Sequence, residues 1–299
     1  MKRAGNMLRS SCILFIFHAC LVSFAQVQAP ETEGKTVIEG PVKNDAKGIQ
    51  VFTVASPYTG GKNAVEVLLP DKMEAGRKYP VLYVLPVGGD FGGQYGDQIQ
   101  EVRKSDAHNR YGVICVSMAF DKVPWYGSHA TDKGIRHDEY IKLVIVPLIE
   151  KSFPASQEPK DRLLIGFSKS GWGAVSLFLR NLDFFGAACA WDAPLMMDEK
   201  NLKWGSAKHF GTPEQAAPHV PVTLVKQHAA ELAGKPPRLA IVGFNLYGAD
   251  TKAFHKLLDE QKVPHLYDDT LKSKHHWESG WLPKALDLFL KQNVKTEGK

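Results

Sequence analysis

The chain has 299 residues, 44% hydrophobic, 23% charged and 10% aromatic. That balance excludes a mainly disordered chain, a collagen-like repeat or a disulfide-dense miniprotein. The formal charge is +5, but Lys2, Arg3 and Arg9 precede the first acid, Glu31, so the clustered basic surface that nucleic acid demands is not expected.

Residues 1–25 read as a secretory signal peptide: three basic residues, an apolar stretch from Cys12 to Phe24, and small residues at Ser23 and Ala25. Val27-Gln28-Ala29 offers a second possible cut. The apolar stretch falls short of the roughly 20 residues a bilayer span needs, so no stable membrane anchor is expected, and the mature protein is expected to be secreted or periplasmic. Removing the segment takes the formal charge from +5 to +2 and leaves two cysteines, Cys115 and Cys189. Each lies in an apolar strand-like run, and spacing leaves both a disulfide and two buried thiols open.

Residues 26–46 read as a leader or first edge strand, and 47–299 as one domain. Strands are expected at Ile49–Ala55, Ala64–Leu69, Val81–Val87, Val113–Phe120, Leu163–Phe167, Gly186–Trp191, Leu239–Phe244 and His265–Tyr267. Helical periodicity covers His137–Lys151, Trp172–Leu182, Leu224–Leu232, Thr251–Gln261 and Leu282–Gln292. Early strands without helices, followed by strand–helix alternation, predict an α/β fold. Its central sheet begins antiparallel and becomes mostly parallel, with helices on both faces. The irregular stretch from Met196 to Pro221 is expected to lie over the C-terminal strand ends, where open α/β sheets bind ligands.

The segment Leu163-Leu164-Ile165-Gly166-Phe167-Ser168-Lys169-Ser170-Gly171-Trp172 carries the chemistry. An apolar strand runs into small–x–Ser–x–small and then into a helix, which is the nucleophile-elbow pattern of α/β-hydrolases. Small residues two positions either side of Ser168 let strand and helix approach, and the Lys169 backbone N–H then faces a developing oxyanion. The plainer reading is a turn whose serine only caps the helix.

Several further segments stand in a characteristic order. Tyr79-Pro80-Val81-Leu82-Tyr83-Val84-Leu85-Pro86 runs on to Gly88-Gly89, and Asp138-Glu139-Tyr140 opens a helix containing Val146-Pro147-Leu148-Ile149-Glu150. After the elbow come Phe184-Phe185-Gly186-Ala187 and finally His275-His276-Trp277. In these pieces the chain resembles the esterase D and feruloyl-esterase-like group of α/β-hydrolases, which also includes the mycolyltransferases. The resemblance covers roughly residues 50–292. It implies an α/β-hydrolase fold and a serine esterase working through a Ser-His-acid acyl-enzyme mechanism, with His275, in a His-x-Trp segment, as the base and its neighbour His276 as second choice.

The acid departs from the pattern. Its usual place follows the strand Leu239–Phe244, where Asn245 and Leu246 stand. Asp192, at the end of the preceding strand, is the first candidate, and Asp250, in what reads as a helix N-cap, is the second; a triad without a carboxylate is the third option. Val87 and Gly88 are expected to complete the oxyanion hole with Lys169, although Pro86 replaces the usual histidine of related esterases. Trp125, Tyr126 and Trp172 either line a substrate pocket or are ordinary core aromatics.

No spacing of metal ligands is evident, and no metal or cofactor is expected. The expected partner is a small-molecule or polysaccharide-linked ester. Two other readings stay open: an acyltransferase on the same fold, and a non-catalytic ligand-binding protein with a degenerate triad.

Overall fold

Among the described residues nine strands join into one sheet in the order β1-β2-β3-β5-β4-β6-β7-β8-β9. The first three are β1 (Val37–Asn44), β2 (Ile49–Ala55) and β3 (Lys62–Leu68), and they pair antiparallel. Next come β4 (Val81–Leu85), β5 (Ile114–Met118) and β6 (Arg162–Phe167). The last are β7 (Ala187–Trp191), β8 (Leu239–Val242) and β9 (His265–Asp268). β3 pairs antiparallel with β5, and every pairing from there to β9 is parallel. The computed structural model describes Met1 and residues 35–44, 48–90 and 93–294. The segment read as a signal peptide lies outside the described residues, apart from Met1.

The change from antiparallel to parallel follows the sequence pattern. Strand β2 alternates half-buried and buried residues only from Val51 to Ala55, whereas β4, β5, β6, β7 and β8 are buried at every position. Their side chains alternate between two cores. Val81, Tyr83, Leu85, Leu164 and Ile241 enter one, and Leu82, Val84, Ile165 and Val242 enter the other.

Helices cover both cores. The first is closed by α2 (Val146–Ser152), α3 (Lys169–Leu179), α4 (Pro221–Leu232) and α5 (Gly248–Glu260), through residues such as Ile149, Phe178, Val225 and Phe254. The second is closed by α1 (Gln98–Lys104) and α6 (Leu282–Asn293), through Ile99, Val102, Leu286 and Phe289. This is the α/β-hydrolase architecture that the family resemblance implied. Cys115 and Cys189 are buried free thiols, and burial pushes both thiol pKa values up.

Two local details differ from expectation. The helix expected over His137–Lys151 is interrupted: a π-helical turn, Tyr140–Ile145, precedes α2. Pro147 lacks the N–H that a regular α-helix needs at that position. Helix α1 was not anticipated, because only two apolar residues of its seven are buried. Asp97 starts it by accepting the Gln100 N–H at 3.1 Å.

Candidate active site

The elbow is built by close approach. Beyond β6, Ser168 adopts φ 54° and ψ −131°, a conformation L-residues rarely occupy and one met at functional turns. A Cβ at Gly166 would lie 2.2 Å from the Ser170 carbonyl oxygen, and one at Gly173 would lie 2.0 Å from the Tyr126 ring. Ser170 is accommodated because its hydroxyl is used: it donates to the Phe167 carbonyl at 2.9 Å and accepts the Phe167 N–H at 3.1 Å. A side chain in the second small position thus laces the turn to the end of β6.

Three strand ends converge at this turn. The Ser168 N–H donates to the Trp191 carbonyl at the end of β7, and the Asp192 N–H donates to the Val242 carbonyl at the end of β8. Ser168 Oγ lies 2.8 Å from His275 Nε2, and His275 Nδ1 lies 2.7 Å from Asp192 Oδ2. Asp192 is fully buried, so its carboxylate must be satisfied from within. Oδ1 accepts the N–H groups of Asn245 and Tyr247 at 3.0 and 2.9 Å, and Oδ2 accepts that of Leu246 at 3.0 Å. Burial alone would raise the Asp192 pKa, but the His275 hydrogen bond and the Tyr247 and Asn245 N–H groups outweigh it and hold the carboxyl below its ordinary value.

With its carboxylate ionised, Asp192 can only accept a hydrogen bond, so His275 Nδ1 carries the N–H between them. Nε2 is then the lone-pair nitrogen facing the serine hydroxyl. Phe167 meets the His275 ring edge-on at 4.7 Å and Trp191 stacks on it at 6.2 Å, which fixes its plane. The arrangement can take a proton from Ser168 and return it to a leaving group.

A cleft of about 420 Å³ opens over Ser168 and His275 and is also lined by Val87, Gly88, Lys169, Trp204, Leu246 and Tyr247. The two backbone segments expected at an oxyanion site, Val87-Gly88 and Lys169, therefore line the same cleft as the serine. Pro86, in the position where related esterases carry histidine, has its carbonyl bonded by the Tyr126 hydroxyl. A larger cavity of about 810 Å³ lies at the N-terminal strand ends. There the Arg238 guanidinium is committed to the carbonyls of Leu182, Phe185 and Gly186.

The other candidates fall elsewhere. Asp250 sits in the first turn of α5 and accepts the Met196 N–H at 3.1 Å, and burial raises its pKa. His276 accepts the Glu278 N–H at 3.1 Å on an exposed turn. Trp125, Tyr126 and Trp172, weighed as pocket residues, are buried and do not line the cleft. Trp125 and Trp172 pack edge-to-face at 5.7 Å and both meet Phe210, while Tyr126 lies over Gly173.

Trp204 and Tyr247 line the cleft and carry no local motif; only the placement of 196–221 over the strand ends hinted at Trp204. Among the described residues one group, His255, Asp259 and His265, lies close enough to share a metal ion. His255 Nδ1 and His265 Nε2 are 2.7 Å apart, a hydrogen-bond separation, at the N-terminal end of β9.

Comparisons with known proteins give a family and a fold. The Esterase family model, described as "Putative esterase", matches residues 56–287. Fluorophosphonate-binding serine hydrolase F of Staphylococcus aureus superimposes with a TM-score of 0.65 at 19% identity, covering 81% of this chain and 98% of that one. An S-formylglutathione hydrolase from Agrobacterium tumefaciens gives 0.65 at 15% identity over 82% and 95% of the two chains. A ferulic acid esterase gives 0.62 at 20% identity over 87% and 98%. These likenesses establish a shared fold. No curated protein matches the sequence.

Proposed function

Because this chain belongs to the Esterase family, we propose that it is a serine carboxylic-ester hydrolase in which Ser168, His275 and Asp192 act as nucleophile, general base and orienting acid. Ser168 Oγ attacks the ester carbonyl carbon while its proton passes to His275 Nε2. The carbonyl oxygen, now anionic, is received by the backbone N–H of Lys169 with that of Val87 or Gly88. The intermediate collapses, the alcohol leaves with the proton from His275, and an acyl-serine remains. Water, deprotonated by the same imidazole, then attacks the acyl-serine and releases the carboxylic acid. Asp192 stays ionised throughout and stabilises the imidazolium between the two transfers.

The observation that carries this reading is the unbroken run of 2.8 Å and 2.7 Å contacts from Ser168 through His275 to Asp192, made by residues that follow three different strands, β6, β9 and β7. A fluorophosphonate probe tests it: wild type is expected to be labelled covalently and Ser168→Ala not at all. Equal labelling of the two proteins, or none of either, overturns it. Export belongs to the same proposal, on the basis of residues 1–25. N-terminal sequencing of protein from the periplasm or medium is expected to begin at Gln26 or Pro30, and an intact Met1 overturns that part.

A further inference from the structure

Lys169 follows the nucleophile directly and is only 9% exposed. Its Nζ is buried with no hydrogen-bond partner among the described residues. The nearest compensation is the Trp125 ring, whose centroid lies 5.2 Å from Nζ. A ring face attracts a cation but offers no acceptor to its three N–H groups. The other titratable groups around it supply no negative charge. His137 and His209 stack on one another at 5.5 Å. Burial, with a smaller contribution from Lys169, brings their pKa values down to about 3 and about 4. The carboxylate of that region, Asp138, is bound by Arg180 at 2.9 Å.

An ammonium held out of water without a counterion is costly, and a methionine of similar length would fill the same space without that cost. Lys169 also lines the cleft over Ser168 and His275. We propose that Lys169 is a specificity-determining residue whose missing counterion arrives with the substrate: the cleft takes esters that carry a compact anionic group, such as a carboxylate, beside the scissile bond. The inference rests on the esterase reading for its chemistry, while its binding component stands apart from turnover. Burial lowers the Lys169 pKa to about 7, so an anion bound beside it favours the charged form and draws a proton into the site.

The anion can sit on the acyl side or on the alcohol side, and paired substrates separate the two. On the acyl side, mono-4-nitrophenyl adipate is compared with neutral 4-nitrophenyl hexanoate. On the alcohol side, 3-carboxyphenyl butyrate is compared with phenyl butyrate. Within each protein the readout is the ratio of kcat/KM for the charged ester to that for the neutral one. Lys169→Met is expected to lower that ratio about 10- to 100-fold in one arm, the worth of a charge-assisted hydrogen bond.

A second measurement uses calorimetry on Ser168→Ala, which cannot turn over. Its dissociation constant for the favoured charged ester is expected to rise by a similar factor when Lys169→Met is added. Ratios unmoved in both arms, with unchanged binding, overturn the inference while leaving the esterase reading intact. Lysine-dependent binding by a wild type that no fluorophosphonate labels and that hydrolyses no ester sustains the inference and overturns the esterase reading.

Discussion

Asp192 and Lys169 are both buried charged side chains beside Ser168, and they are treated in opposite ways. The carboxylate receives three backbone N–H groups and an imidazole N–H. The ammonium receives no hydrogen-bond acceptor among the described residues. Their pKa values both move down, but for contrary reasons. Hydrogen bonds favour the charged form of the aspartate, whereas desolvation favours the uncharged form of the lysine. The first is a group whose charge the fold completes by itself. The second is a charge the fold leaves to be completed from outside.

The sharpest way to break this comparison is at the serine between them. Ser168→Ala is expected to lower kcat for any ester by about 10⁴-fold or more, leaving only what the oxyanion site and binding contribute. Hydrolysis of a chromogenic ester reads it directly, and a loss under tenfold sinks the assignment.

Asp192→Asn comes next. It keeps the shape but reverses the tautomer preference of His275, so kcat is expected to fall about 10³- to 10⁴-fold. The same substitution alters acid stability. Because the folded pKa of Asp192 lies below its unfolded value of about 3.9, its contribution is present above that value and is lost as pH falls through the folded one. Denaturant melts between pH 2 and pH 6 are expected to show a steeper loss for wild type than for the variant.

Lys169→Met acts on stability with the opposite sign. The folded pKa of about 7 lies below an unfolded value of about 10.4, so the penalty of holding the ammonium is full below pH 7 and fades as pH rises toward 10. The variant is expected to gain roughly 1–4 kcal/mol below pH 7, the order seen when apolar side chains replace buried charges. The gain is expected to shrink with rising pH. A variant that melts below wild type at pH 6 contradicts the account of Lys169 as an uncompensated cation.

The smallest effects are expected at the neighbours that share residue type but not contacts. Asp250→Asn and His276→Ala are each expected to change kcat/KM less than about threefold, since no contact to Ser168 or His275 ties either to the proton relay. A hundredfold loss at Asp250 reverses the choice between the two carboxylates.

The parts of the molecule legible in the sequence are those whose constraints are local. Gly166, Ser168 and the strand and helix flanking them announce the elbow because a tight turn needs small neighbours within a few residues. The central strands read clearly because burial on both faces leaves continuous apolar runs. The acid was harder: Asp192 and Asp250 look alike in sequence, and what separates them is three peptide N–H groups from residues 245–247, which carry no side-chain signature.

The aromatics show the same limit: of the two readings open for them, the structure places them in the core. Trp125 and Trp172 are chemically suited to a pocket, but Phe210, far away in sequence, packs against both. Helix α1 has too weak an apolar face, Ile99 and Val102 alone, to be legible by periodicity, and its start is marked by the Asp97 cap.

The three N–H groups that hold Asp192 belong to residues 245–247, the loop where the family pattern leads one to look for the acid itself. That loop is therefore a preformed receptor for a small anion, and the aspartate is a tethered guest. Removing the guest leaves the receptor. Asp192→Ala is expected to be inactive in chloride buffer and to regain part of its esterase rate when formate is added, in a saturable manner, whereas Asp192→Asn, whose amide still fills the space, is expected to show no such chemical rescue. On the proposed reading, the place of the acid on this sheet follows from where three peptide N–H groups point.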